Sequence, residues 1–228
     1  MQSVNSIQPL VFLLLASLDP ITAEGPPTRW EKTIRNFEAQ DKQNPPPSGA
    51  VLFLGSSSIR MWKLKQSFPD TAAINRGFGG SQISDSLQYA DRIILPYKPK
   101  TIIFYAGDND VAAGKTPERV LKDFTALTTK VQKALPETII AFIAIKPSLR
   151  RWKLVERMRE ANSLVSEYCN KHEKLAFVDI DTPMIGADGK PRPELFAKDG
   201  LHLSAKGYQL WNSLVAEHLG GVAGKDRN

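Results

Sequence analysis

The sequence predicts an α/β protein: a three-layer α/β/α sandwich built on a five-stranded parallel sheet of order 2-1-3-4-5, as in flavodoxin. Three observations lead there. Apolar runs at 50–54, 72–74, 101–106, 138–145 and 175–180 are short, bounded by turn residues and rich in β-branched or aromatic side chains, as strands buried on both faces should be. Helical patterns separate them, which implies right-handed crossovers between parallel strands. The chain has 228 residues, 42% of them hydrophobic, enough for one well-buried domain and short for two.

In chain order, 28–43 has helical spacing, with Trp30, Ile34 and Phe37 on one face, and Asn44-Pro45-Pro46-Pro47-Ser48-Gly49 ends it. The strand Ala50-Val51-Leu52-Phe53-Leu54 runs into Gly55-Ser56-Ser57-Ser58. The second strand leads to Asn75-Arg76-Gly77-Phe78-Gly79-Gly80 and a helix over 81–94. Thr101-Ile102-Ile103-Phe104-Tyr105-Ala106 is the third strand and delivers Gly107-Asp108-Asn109-Asp110. Thr116 and Pro117 then read as N-cap and first residue of a helix to Ala134. Two further strands flank a helix over 151–172, and Ser204 starts the last helix, to Leu219.

Chemistry-bearing residues gather at the carboxyl ends of these strands, where open α/β sheets bind ligands. A serine hydroxyl is a poor nucleophile at neutral pH; it needs a neutral imidazole within hydrogen-bond reach, and the imidazole needs a carboxylate to fix its tautomer. Asp199-Gly200-Leu201-His202 supplies acid and imidazole on one loop. Of three histidines, His172 lies among polar residues at a helix end and His218 on the last helix, so only His202 has an acid at a suitable spacing. Glycines after the second strand offer unobstructed backbone N–H groups, and Asn109 a side-chain amide, both suited to a developing oxyanion. Any of Ser56, Ser57 and Ser58 could supply the hydroxyl.

In these blocks the chain resembles the SGNH hydrolases, also called GDSL-type esterases and lipases, from Val51 to the helix after His202. The resemblance implies Ser57 as nucleophile, with register set by Gly55 and Trp62, and Asp199 with His202 as the rest of the triad. It implies Gly80, Asn109 and the Ser57 backbone as oxyanion-hole donors. The pattern departs at Ser56, where the family usually has aspartate, and at Ser58, where leucine or isoleucine is usual. The implied activity is hydrolysis of carboxylic esters, with short acyl groups such as acetyl esters on glycans favoured by a compact chain lacking an apolar lid. An acyltransferase, or a glycan-binding module without chemistry, would use the same fold.

Other function classes find little support. The net charge of +6 comes from cations scattered along helices, with no nucleic-acid motif beside them. Neither a P-loop nor a dinucleotide fingerprint follows a strand, so no cofactor is expected. Asp108 and Asp110 without a nearby histidine make a poor metal site, and Asp110 is expected to brace the Asn109 loop. Cys169 is read as a core thiol. Residues 1–23 read as an export signal with an apolar segment from Pro9 to Leu18, too short to span a bilayer. The expected organisation is a signal at 1–23, a helix and Pro-rich linker at 24–49, the hydrolase domain at 50–220 and a tail at 221–228, in a secreted or periplasmic protein, otherwise a cytoplasmic one, acting on small or glycan-linked esters.

Overall fold

Alternate residues of the strands feed two separate cores. A computed structural model describes residues 29–219; the segments read as export signal and tail lie outside the described residues. The strands are β1 (Val51–Gly55), β2 (Ala73–Gly77), β3 (Thr101–Tyr105), β4 (Ile139–Ile143) and β5 (Leu175–Val178). They form one sheet, all parallel, in the order β2-β1-β3-β4-β5. The helices of the first half are α1 (Glu31–Gln43), α2 (Ser57–Arg60), α3 (Leu64–Ser67), α4 (Ile83–Gln88), α5 (Ala90–Ile93) and α6 (Asp108–Ala112). Those of the second half are α7 (Pro117–Ala134), α8 (Val155–Asn170), α9 (Asp181–Met184) and α10 (Ala205–Ala216).

Because strand side chains alternate between faces, Leu52, Leu54, Ile102, Phe104 and Phe142 point to one side of the sheet. There they pack with Ile34 of α1, Ile93 of α5, Phe124 of α7 and Val165 of α8. Val51, Phe53, Ile103, Tyr105 and Ile143 point to the other side, against Ile59 of α2, Met184 of α9 and Trp211 of α10. Both faces of β1 and β3 are fully buried, the physical reason their sequences are continuous apolar runs. Trp62 lies in the second core; its Nε1 donates to Asn212 Oδ1 at 2.8 Å and Ser67 Oγ at 3.1 Å. Cys169 is buried in the first core.

Helix boundaries differ from the sequence reading in two places. The expected helix over 81–94 breaks at Tyr89, whose buried ring lies edge-on to Phe78 at 6.4 Å, giving α4 and α5. No glycine or proline announces that break. The helix expected from Arg151 starts only at Val155, after a 3-10 turn over Trp152–Leu154, so Arg151 stays in a loop whose side chain reaches the ends of the strands.

Helix α1 is tied down by charge as well as by Ile34. Arg92 donates from Nε to Glu38 at 2.6 Å and from Nη1 to Glu31 at 2.9 Å. The Arg76 guanidinium pairs with Asp41, and Tyr97 donates its hydroxyl to the same carboxylate at 2.5 Å. The edge-on contact of Trp30 with Phe78, 5.6 Å between ring centres, brings the start of the helix to the strand ends.

Candidate active site

The turn that carries Ser57 depends on Gly55. At φ 135° it occupies backbone space closed to other residues, and a Cβ there would fall 1.9 Å from the carbonyl oxygen of Tyr105. The chain therefore stays against β3 to its last residue and then reverses into α2. Ser56 and Ser58 are completely buried, whereas Ser57, at the first helical position, lines a cleft of about 500 Å³ with Gly79, Gly80, Asn109 and His202. Thr33 and Arg60 complete one wall and Leu201 the other.

His202 Nε2 lies 3.1 Å from Ser57 Oγ, and Nδ1 lies 2.5 Å from Asp199 Oδ2. A carboxylate facing Nδ1 keeps the proton on that nitrogen, leaving Nε2 to accept from the serine hydroxyl. Asp199 is fixed by its own turn: Oδ1 accepts the N–H of Leu201 at 2.9 Å and of His202 at 3.0 Å. Those backbone donors, followed by the imidazole, hold its carboxyl well below the usual carboxylate range. The loop is closed by Ala197 donating to the His202 carbonyl, and Ser204 caps α10 by accepting from Gly207.

Opposite His202 stand the candidate oxyanion donors. Gly80 has φ 81° at the turn after β2. Among the described residues no acceptor takes its N–H or that of Ser57, the latter being a helix-terminal donor without an intrahelical partner. The Asn109 amide has a determined orientation. Its Nδ2 donates to the Ser81 carbonyl at 3.0 Å, and its Oδ1 accepts from Arg151 Nη2 at 3.0 Å. A guanidinium only donates and a carbonyl only accepts, so the flipped amide would lose both bonds.

Behind Ser57 and Asn109 lies a buried polar cluster that the sequence reading missed. Lys146, 1% exposed, donates from Nζ to Tyr105 Oη at 2.8 Å, Asp108 Oδ2 at 3.1 Å and Ser58 Oγ at 3.3 Å. Arg151 Nη1 meets the same Asp108 oxygen at 3.0 Å. Burial pushes the Asp108 carboxyl up, but Lys146 and Arg151 outweigh it and hold it below its ordinary value. Burial also draws the Lys146 ammonium down against the pull of Asp108. A lone lysine closing the apolar run 138–145 was the available signal.

The remaining candidates have structural partners. Asp110 accepts from the Ile83 N–H at 3.3 Å and from Lys115 Nζ at 2.7 Å, tying the Asn109 loop to the start of α4. His172 Nδ1 lies 2.7 Å from the Tyr168 carbonyl oxygen. Burial lowers the pKa of His218. Among the described residues no group of three or more His, Cys, Asp or Glu side chains could hold a metal ion, and no helix is long and apolar enough to cross a membrane.

Sequence comparison with curated proteins yields no match. Solved structures share the fold. A Streptococcus pneumoniae protein provisionally described as a platelet activating factor is 23% identical, with a TM-score of 0.74 over 82% of this chain and 92% of its own. A GDSL-like lipase from Bacteroides thetaiotaomicron is 17% identical, at 0.72 over 82% and 97%. An acetylxylan esterase from Geobacillus stearothermophilus, in a catalytic mutant form, is 14% identical, at 0.62 over 76% and 95%. Identities this low speak for the fold alone. The sequence profile of the GDSL-like Lipase/Acylhydrolase family matches residues 55–210, a span from the turn carrying Ser57 to the last helix. The chain belongs to this family of ester-cleaving hydrolases, within the SGNH superfamily.

Proposed function

We propose that the protein is a serine esterase acting on short acyl esters, acetyl esters above all, through a Ser57-His202-Asp199 triad and an acyl-enzyme. The observation that carries this reading is the hydrogen-bond chain from Ser57 Oγ through both imidazole nitrogens to Asp199, at the edge of a cleft that also holds Gly80 and Asn109.

In the first half-reaction His202 Nε2 takes the Ser57 proton as Oγ attacks the ester carbonyl. The oxyanion receives the N–H groups of Ser57 and Gly80 and the free Nδ2 hydrogen of Asn109. Each such donor is worth on the order of 3 kcal/mol in the transition state. Collapse of the tetrahedral species transfers the His202 proton to the leaving alkoxide and leaves the acyl group on Ser57. Water, deprotonated by His202, then attacks that acyl group, and the carboxylic acid departs as Ser57 recovers its proton. Asp199 stays ionised throughout and stabilises the imidazolium.

Several features support short acyl groups on a polar alcohol: the cleft is modest in volume, half its lining is Ser57, Asn109, Thr33 and Arg60, and one fold neighbour is an acetylxylan esterase. The test is hydrolysis of p-nitrophenyl esters from acetyl to palmitoyl by wild type and Ser57→Ala. Turnover concentrated at short chains and lowered by roughly 10⁴-fold or more in Ser57→Ala is the expected result. Activity of the variant within a few-fold of wild type would remove Ser57 from the mechanism. Transfer of the acyl group to an added alcohol in preference to water would identify an acyltransferase on the same residues.

A further inference from the structure

The cleft carries positive charge that ester hydrolysis itself does not use. Arg60, the last residue of α2, is exposed and lines the cleft, and among the described residues its guanidinium has no hydrogen bond or ion pair. It lies flat on Gly79, where a Cβ would come within 2.9 Å of Arg60 Nε. Arg29 lies across the neighbouring Gly80, where a Cβ would come within 3.2 Å of Arg29 Nη2, and its guanidinium stacks on Trp30, 4.3 Å from the ring centre. Two guanidinium groups thus lie against the glycine pair at one lip of the cleft, where the absence of side chains lets them approach the backbone.

Several other cations near the strand ends have carboxylate partners. Arg76 faces Asp41, Arg92 faces Glu31 and Glu38, Lys115 faces Asp110 and Asp123, and Lys146 and Arg151 share Asp108. Among the described residues no carboxylate lines the cleft itself, and Asp199 stands behind His202 with both oxygens occupied. A planar guanidinium over an open cleft, without a protein counter-ion, is the group that binds carboxylate, sulfate or phosphate through two parallel hydrogen bonds.

We propose that Arg60 and Arg29 form an oxyanion-binding subsite over Gly79 and Gly80, so that the favoured ester carries a second, negatively charged group such as a carboxylate near the scissile bond. The proposal rests on the esterase reading for its substrate, but the subsite can be tested separately.

The measurement is the ratio of kcat/KM for matched anionic and neutral esters. On the alcohol side the pair is 4-acetoxybenzoate and 4-acetoxybenzamide; on the acyl side it is 4-nitrophenyl hemiglutarate and 4-nitrophenyl hexanoate. In at least one pair, the anionic-to-neutral ratio should fall by roughly fivefold to tenfold from wild type to Arg60→Gln. It should fall further in Arg60→Gln/Arg29→Gln, be largely kept in Arg60→Lys, and decline as salt is raised. The responding pair shows which side of the ester the anion occupies. Ratios equal in wild type and the double variant, in both pairs, overturn the subsite while leaving ester hydrolysis intact. If wild type hydrolyses none of the four esters, the esterase reading fails. The subsite is then read by calorimetric binding of 4-acetoxybenzoate to Ser57→Ala. Binding that is lost on adding Arg60→Gln upholds it, and binding that is absent or unchanged overturns it.

Discussion

Arg151→Met isolates the orientation of the Asn109 amide. That amide is held by two bonds of equal length, to Ser81 and to Arg151 at 3.0 Å each, and the arginine bond is the charge-assisted one. The substitution leaves Ser81 as the sole anchor and removes the donor that forbids the carbonyl end from turning into the cleft. Losing a hydrogen bond to a charged group costs about 1.5–3 kcal/mol. With the Arg151 side chain 19% exposed, the low end applies. The expected fall in kcat is about tenfold, bounded above by the roughly 10²–10³-fold loss expected for Asn109→Ala. Arg151 also pairs with Asp108, so a single variant confounds positioning with stability. A double-mutant cycle on p-nitrophenyl acetate turnover removes that ambiguity, because the Asp108 contact is lost equally in both backgrounds. Arg151→Met should cost about tenfold in wild type and almost nothing in Asn109→Ala, with KM little moved. Equal losses in the two backgrounds would refute the argument that Arg151 acts through the amide.

Two other predictions concern charge. Asp199 is held well below the usual carboxylate range and stays ionised in mild acid, so it adds no protonation of its own to the acid side of the activity profile. The logarithm of kcat/KM should therefore fall with unit slope on the acid side of the profile; a slope approaching two, or no fall, contradicts this assignment. Lys146→Met removes the ammonium from a site where Asp108 is only 5% exposed and has Arg151 as its remaining counter-ion. Breaking a buried pair costs about 3–5 kcal/mol, and the surviving arginine places the effect near 3. This should lower the urea midpoint without changing the denaturant slope. A loss below about 1 kcal/mol would show that the cluster contributes little to the fold.

The parts legible in the sequence were those written in contiguous residues. β1 and β3 are buried on both faces, so every residue from Val51 to Leu54 and from Thr101 to Tyr105 had to be apolar or small, and the runs announced themselves. Asp199 and His202 are three residues apart because the turn that orients the imidazole is made by the same carboxylate. The cluster around Lys146 joins residues from β1's exit, β3's exit, β4's exit and the loop before α8, with Ser58 and its partner Lys146 88 positions apart, and no local pattern signals such a convergence. The break at Tyr89 was missed because tertiary packing of its ring against Phe78 accompanies it, and the late start of α8 because a 3-10 turn over Trp152–Leu154 precedes it. Helix α1 was legible as a helix. Its role as a cleft wall, through Thr33, was not, because that depends on ion pairs to Arg92 and Arg76 far along the chain.

Ser56, the departure from the family pattern beside Ser57, has a structural account. Its Oγ is buried without a hydrogen-bond partner, so the side chain holds nothing. The turn is held by the backbone instead. The Ser56 N–H donates to the Tyr105 carbonyl at 2.9 Å, and its carbonyl accepts from Ile59 and Arg60 at 3.1 and 3.0 Å. Phe78 donates to the Gly55 carbonyl at 2.8 Å, and the Tyr208 hydroxyl donates to the Ser58 carbonyl at 2.9 Å. Negative charge near the turn is supplied by Asp108 from the next strand, already matched by Lys146 and Arg151. An unsatisfied buried hydroxyl carries a desolvation cost of about 1–3 kcal/mol. Ser56→Ala should therefore be as stable as wild type or more so, by up to about 1–2 kcal/mol, with kcat unchanged. Ser56→Asp, by contrast, would place a carboxylate at a fully buried position and should destabilise by more than the alanine change stabilises. Thermal unfolding and p-nitrophenyl acetate turnover of the pair decide the matter. A marked loss of either in Ser56→Ala would mean that the hydroxyl has a partner that matters, and would return to Ser56 a part in holding the nucleophile.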